Sequence, residues 1–431
     1  MSAILTLTSP IRGSNQVLMA SSRRRFLLDG AVAVLVASAS CGPAPPVGPA
    51  GATMTQELGP ATALLPLYRA LSRADPVVIL QIGDSHTAND SFSGRLRELL
   101  QARFGDGGRG ILPPGVPYNW YRPARVSVEA QGWSVVSSYR SDVGPFGITG
   151  LRQQADGPAM MRLLADDAGD LNHAEIEVLR QPGGGTLDVD LDGGSHMTIS
   201  TAAPTQQAVW LPLPSTPGSH TLTLGARGDG RVSLMAWSVT RGGPGVIYAN
   251  LGTVGATADL FDTWDGAIVR QDLAHLAPSL IVLAFGTNEG FIDSTDLTAY
   301  ASRFTARLRT LRAVLPRAAL IVIGPPDANR RRDSANTPPS CGDLNWTEPP
   351  NLAAIRAVQR GIAAQEDAYF WDWQAAMGGP CSMLRWAATD PPMAAADRVH
   401  LFTPGYQASA EILFSAIMAG YARYRALHPT G

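Results

Sequence analysis

The chain contains no lysine; all 34 basic residues are arginine, a compositional bias to which no function is attached. It also lacks an excess of charge of either sign. The 34 basic and 36 acidic residues leave a formal net charge of -2, so no basic field attracts nucleic acid or anionic lipid. Charged residues make up only 16% and hydrophobic residues 45%, the balance of a soluble globular protein. Long apolar runs are missing too. Residues 31–37 form an apolar run near the N-terminus, too short to cross a bilayer core of about 30 Å, so no transmembrane segment is expected. At 431 residues the chain exceeds what one small core needs, and one large or two medium domains are expected.

The first forty residues read as a targeting segment. Ser22-Arg23-Arg24-Arg25-Phe26-Leu27-Leu28 sets paired arginines ahead of the apolar run, which resembles a twin-arginine export signal. Ala37-Ser38-Ala39 offers a small-x-small cleavage site. Cys41 follows at once and is a candidate for a lipid anchor, although Ser38 stands where lipoprotein signals usually carry Leu. A soluble periplasmic or secreted protein is the expectation, and an outer-envelope lipoprotein the alternative. Residues 41–60, rich in Pro, Gly and Ala, read as a flexible linker. Cysteine is scarce, with three in all. Cys341 and Cys381 remain after processing, and an oxidising compartment suggests one disulfide between them, with two buried thiols as the alternative.

Three segments read as buried strands: residues 77–82, 280–285 and 319–323. Continuous apolar runs of that length suit a parallel sheet covered on both faces. Residues 247–251 give a weaker strand and 369–371 a further one. Apolar residues at helical spacing predict helices over 91–104, 296–315, 351–364 and 404–427. Strands alternating with helices of this size mean an α/β fold with a parallel sheet. Residues 125–241 break the pattern. Short segments such as Glu175-Ile176-Glu177-Val178 and Thr186-Leu187-Asp188-Val189-Asp190-Leu191 alternate with period two between Gly-rich turns, which predicts an inserted β-sandwich. The core is then split into residues 61–124 and 242–431.

Chemistry enters at the strand ends. Gly83-Asp84-Ser85-His86 directly follows the first strand, at the edge where open α/β sheets bind ligands. It is not Gly-x-Ser-x-Gly, which argues against the nucleophile elbow of α/β-hydrolases. A serine hydroxyl needs a base to take its proton, and the base needs an orienting partner. Asp-x-x-His supplies both, and it occurs three times. Asp170/His173 falls in the β region, Asp272/His275 near a helix end, and Asp397/His400 just before the last helix. Only the third lies on a C-terminal loop able to approach Ser85; the other two read as solvated surface pairs. Acyl transfer also needs donors for the tetrahedral oxyanion. The Asn288 amide in Gly286-Thr287-Asn288-Glu289, a glycine N–H in the segment 250–257 (Gly252 or Gly255), and the Ser85 N–H would supply them.

Together these blocks resemble the SGNH (GDSL-type) hydrolase superfamily. The resemblance implies a flavodoxin-like α/β/α core without metal or organic cofactor. It also implies Ser85 as nucleophile, Asp397 and His400 as orienter and base, and Gly255 and Asn288 as oxyanion donors. Glu289 departs from the pattern, where many members carry Asp. The starts Gly83-Asp84-Ser85-His86-Thr87-Ala88 and Gly286-Thr287-Asn288-Glu289, with Trp371-Asp372-Trp373-Gln374-Ala375-Ala376-Met377-Gly378-Gly379, are similar to bacterial peptidoglycan O-acetylesterases. In these an SGNH core is interrupted by a sandwich similar to carbohydrate-binding modules. The implied function is removal of O-acetyl groups from an envelope or secreted polysaccharide. Acetyl transfer with the same triad, a lipase or thioesterase, and a non-catalytic glycan-binding protein are the alternatives. Trp120, Tyr121, Trp346, Trp371, Trp373 and Trp386 are candidate sugar contacts, each read first as packing, with at most one of Trp371 and Trp373 facing a cleft.

Overall fold

The strand Pro76–Gly83 (β1) shows how the sequence builds the core. Val77 and Ile79 point into one apolar layer, and Leu80 and Ile82 into the other. A strand with water on neither face has no reason to alternate polar and apolar residues. The same division holds in Leu280–Ala284 and Ala319–Gly324, where odd and even positions enter opposite layers. In this computed structural model residues 62–140, 142–214, 218–334 and 336–429 are described. The export signal with Arg23 and Arg24, the candidate anchor Cys41 and the linker lie outside the described residues.

The remaining core strands are β2 (Asp106–Leu112), β3 (Gly245–Gly252), β4 (Leu280–Ala284), β5 (Ala319–Gly324) and β6 (Tyr369–Asp372). Along the sheet they run β2-β3-β1-β4-β5-β6, with every neighbouring pair parallel. The chain leaves β1 toward β2 on one side and leaves the adjacent β4 toward β5 on the other, so the connections diverge between β1 and β4. This is the switch point where loops diverge and leave a crevice. One face is covered by the helices Ser91–Phe104 and Thr403–Leu427, the other by Gly266–Leu276, Leu297–Val314 and Leu352–Gln365. Among the described residues no helix is long and apolar enough to cross a membrane.

The inserted β region forms two layers. A five-stranded antiparallel sheet (Val126–Gln131, Pro158–Ala165, Thr221–Arg227, Thr186–Leu191, Ser195–Ser200) faces strands that include His173–Arg180 and Val232–Thr240. Met161, Leu163, Val189 and Leu224 meet Ile176, Val178, Leu234 and Trp237 between them. The second layer is continuous with the core sheet, because Val232–Thr240 pairs antiparallel with β2, Trp237 opposite Leu112.

β2 is the strand that sequence patterning misses. Asp106-Gly107-Gly108-Arg109-Gly110-Ile111-Leu112 is not among the strands expected from patterning, since glycine is depleted in strands. Here glycine is required. A Cβ on Gly107 would lie 2.8 Å from Ile247 Cγ1, and one on Gly108, at φ +107°, 2.7 Å from the Thr240 Cα. Squeezed between a parallel and an antiparallel partner, the strand has no room for side chains at these points.

Candidate active site

Ser85 opens the short helix Ser85–Ala88, immediately beyond β1. Gly83 makes the turn possible: a Cβ there would sit 2.3 Å from Thr87 Oγ1 and 2.5 Å from the Ala284 carbonyl oxygen. Asp84 caps the helix by accepting from the His86 N–H at 3.0 Å, and its own N–H donates to Ala284 O. Its carboxyl is buried, and burial pushes it up to about 8; the His86 amide opposes this, while the neighbouring Glu289 adds to it.

The loop with Asp397 and His400 returns to this edge from the far end of the chain. His400 Nε2 lies 2.9 Å from Ser85 Oγ, and His400 Nδ1 lies 2.7 Å from Asp397 Oδ2. The second carboxylate oxygen of Asp397 accepts from the Val399 and His400 N–H groups at 2.9 and 3.0 Å. Partial burial works to raise the Asp397 carboxyl, but the bonds from His400 and the two amides outweigh it and hold it below the usual range. The loop is braced from outside. Asn329 N–H donates to Arg398 O, Arg398 pairs with Asp343 at 2.9 Å, and its guanidinium stands 4.4 Å over the Trp346 ring. The His400 and Asp397 side chains are 41% and 51% exposed, so the dyad opens directly on solvent.

Beside Ser85 are the two loops with the other expected residues. Asn288 Nδ2 donates to Ala256 O at 2.8 Å, which leaves its second N–H unspent. Gly252 and Gly255 differ in surroundings. A Cβ on Gly252 would meet the Ala88 N at 2.0 Å, so this glycine serves packing against the serine helix. Gly255 occupies a turn at φ +79°.

The other two Asp-x-x-His pairs correct the expectation of solvated pairs. Asp170 is fully buried and bonded to Arg125 and, at 2.9 Å, to Arg241. Asp272 is fully buried too, accepting from Ile148 N–H at 2.9 Å and Trp210 Nε1 at 3.1 Å. His275 bonds instead to Glu175 at 2.9 Å. Both aspartates tie the inserted strands to neighbouring elements, a tertiary role that spacing does not reveal. Trp371 and Trp373 are both buried, so neither faces a cleft; Trp346 and Trp386 are buried as well, while Trp120 is 76% exposed.

Several residues were not legible as parts of this region. His86 is buried beside His400, ring centroids 5.3 Å apart, with Nδ1 2.9 Å from the Tyr406 hydroxyl. Burial, and then the neighbouring His400, lower its pKa to about 3, so it stays neutral. Arg109, on the missed β2, joins Arg97 in pairing with buried Asp90 and bonds to Asn250, which in turn donates to Thr87 O. Tyr139, from the insertion, is half exposed and holds its hydroxyl 2.5 Å from where a Cβ on Gly255 would be. A lone Tyr in a polar stretch gives no sequence signal.

A solved peptidoglycan O-acetylesterase superimposes with a TM-score of 0.70 at 28% identity, over 85% of this chain and 98% of its own length. Residues 217–408 match the model of the GDSL-like Lipase/Acylhydrolase family. Residues 217–408 thus form a GDSL-like lipase/acylhydrolase domain, and the protein is a carboxylic ester hydrolase. The family match contains Gly255, Asn288, Asp397 and His400, whereas Ser85 lies before it, on the other side of the insertion. An acetyl xylan esterase, AlAXEase, is 17% identical over 40% of this chain and 81% of its own, with a TM-score of 0.30. A family two carbohydrate esterase from Cellvibrio japonicus is 14% identical over 69% and 98%, with a TM-score of 0.29. No curated protein sequence matches the chain.

The buried Asp84 gives a pH test of this site. Its folded pKa is raised to about 8, whereas unfolded it titrates near ~3.9. For an acid held protonated by the fold, stability is fully present below the unfolded value. It is lost as pH rises toward the folded one, by at most about 1.4 kcal/mol per pH unit. Asp84→Asn keeps an oxygen acceptor for the His86 amide but does not titrate. The melting temperature of the parent should therefore fall relative to the variant between pH 5 and about 8. Parallel curves would show that Asp84 is ionised in the fold.

Proposed function

We propose that this esterase removes O-acetyl groups from a cell-envelope or secreted polysaccharide, through a serine acyl-enzyme. The observation that carries the reading is the continuous relay from Ser85 Oγ through His400 to Asp397, at 2.9 and 2.7 Å. Ser85 Oγ attacks the acetyl carbonyl while His400 Nε2 takes its proton, and Asp397 holds the imidazole in the tautomer that can accept it. The oxyanion receives N–H groups from Ser85, Gly255 and the free amide proton of Asn288. His400 then returns the proton to the departing sugar oxygen, and water, activated by the same imidazole, releases acetate.

The exposure of His400 and Asp397 supports a small acyl group on a large, outlying substrate, because a long acyl chain needs an apolar channel to leave water. Likeness to a peptidoglycan O-acetylesterase supports the acetyl ester and a wall-type glycan. The arginine pair ahead of residues 31–37 supports export to where such polymers lie. Tyr139 supports a share in substrate contact for the insertion, since it brings an exposed ring to the Gly255 loop.

The test is acetate release from purified O-acetylated peptidoglycan, measured beside a soluble acetyl ester. Release from both by the parent, and from neither by Ser85→Ala, is the expected result. Turnover of the soluble ester with none from peptidoglycan or other acetylated glycans would remove the polysaccharide assignment.

A further inference from the structure

Glu289 occupies the position after Asn288 and is almost wholly buried, with a relative exposure of 4%. Its two carboxylate oxygens serve two different loops. Oε2 accepts the Gly286 N–H at 3.0 Å, at the start of its own short helix, and Oε1 accepts the Ala258 N–H at 2.8 Å, beyond the Gly255 turn. Burial pushes its pKa up, while the amides it accepts from favour its charged form. A carboxyl this buried is costly unless its oxygens are bonded, so its bonds define a specific arrangement of the surrounding backbone.

The segment from Gly255 to Ala258 is thus held twice from the Asn288 side. Asn288 Nδ2 donates to Ala256 O at 2.8 Å, and Ala258 N–H donates to Glu289 at 2.8 Å. One hydrogen bond leaves a segment free to pivot about it. Two, of opposite donor sense and two residues apart, fix its pitch. Ala256 and Ala258 are fully buried, so the backbone between them has no long side chains of its own to hold it. Oxyanion donors must be held within a few tenths of an ångström of their target, since geometry sets their value in the transition state.

We propose that Glu289 is a positioning residue for ester hydrolysis: its carboxylate locks the Gly255 loop to the Asn288 loop so that both donors converge on one oxyanion. This rests on the assignment of Gly255 and Asn288 as oxyanion donors. Glu289 itself touches no substrate. It acts through the Ala258 amide on one side and the Gly286 amide on the other. A mere helix cap would need only the second of these bonds.

The experiment measures kcat and KM on p-nitrophenyl acetate for the intact protein and for Glu289→Gln, Glu289→Asp, Asn288→Ala and the double variant Asn288→Ala/Glu289→Gln. Gln has the right shape but turns an N–H₂ toward one of the amides, so one bond becomes a clash. Glu289→Gln should lower kcat by about 10- to 100-fold with KM within about twofold, by analogy with loss of a single oxyanion donor. Glu289→Asp keeps the charge and should recover part of the loss. If the two residues serve one device, adding Glu289→Gln to Asn288→Ala should cost less than about threefold more. A Glu289→Gln enzyme with kcat within twofold of the parent, or a double variant whose losses multiply, would overturn the proposal. Full activity in Asn288→Ala would instead overturn the oxyanion assignment beneath it. Should the Glu289 variants fail to fold, Ala258→Pro removes the donor and leaves the carboxylate intact. Ala258 is the first residue of a 3-10 turn and Thr257 before it is extended at φ -96° and ψ 168°, a setting that accepts proline. The same kcat loss is expected there, and unchanged kcat would overturn the proposal.

Discussion

Ser85→Ala should lose esterase activity by about 10⁴-fold or more, with the melting temperature within a few degrees of the parent. His400→Ala should lose a similar amount, and the double variant little more than either single one, because nucleophile and base act as a unit. The separation of activity from stability follows from exposure. His400 is 41% exposed at its side chain, and Ser85 lies at the mouth of the site, so neither truncation opens a core cavity. Asp397→Ala should leave more activity, because its oxygens orient the imidazole and hold the Val399 and His400 amides rather than meet the ester. His173→Ala and His275→Ala serve as controls and should turn over normally, since Ser85 is bonded to His400. A folded Ser85→Ala protein that keeps a tenth of the parental rate would remove Ser85 as nucleophile.

The core was legible because burial on both faces leaves a mark that needs no tertiary knowledge. Runs such as residues 280–285 and 319–323 are apolar throughout, and only a covered parallel strand tolerates that. Ser85 and Asn288 were expected from motifs at strand ends, where the fold itself gathers loops at a switch point, and His400 from Asp-x-x-His on the loop before the last helix. What escaped was set by contacts distant in sequence. β2 is a strand because Ile247 and Thr240 leave space only for glycine, and no local propensity encodes that. Asp170 and Asp272 look like surface residues in sequence, yet arginines 45 and 71 residues away and a backbone amide 124 residues away allow their burial. Tyr139 and Glu289 matter by what they touch, and those partners lie far along the chain or on a neighbouring loop.

The continuity of the sheet also changes what can be learned by cutting out the insertion. Replacing residues 125–241 by a linker would strip Val232–Thr240 from β2, exposing Leu112, and would remove Trp210 from Asp272. Loss of activity after such a deletion would follow from damage to the core as readily as from loss of glycan contact. Comparison of polymer and small ester on the intact protein, as set out above, avoids that confusion.

Reducing the bridge between Cys341 and Cys381 should destabilise the protein by about 4 kcal/mol, the loop-entropy value for a separation of 40 residues. Their Cα atoms are 5.4 Å apart, within the ordinary range for a disulfide. Its consequence for catalysis follows from what each cysteine adjoins. Two residues beyond Cys341, Asp343 pairs with Arg398 in the middle of the Asp397–His400 loop, and Trp346 stacks beneath the same guanidinium. Cys381 precedes the helix Ser382–Ala387, whose Trp386 carbonyl accepts the Met393 N–H, and Met393 O in turn accepts from Phe402. The bridge therefore clamps the two segments that brace the base from either side. A Cys341→Ser/Cys381→Ser protein should unfold at lower urea concentration and show reduced kcat with KM little changed, since the ester still reaches the site while the imidazole spends less time aligned. Reductant should produce the same shift in the parent and none in the double variant. If urea midpoints and kcat were equal with and without reductant, the bridge would have no part in stability or in positioning His400.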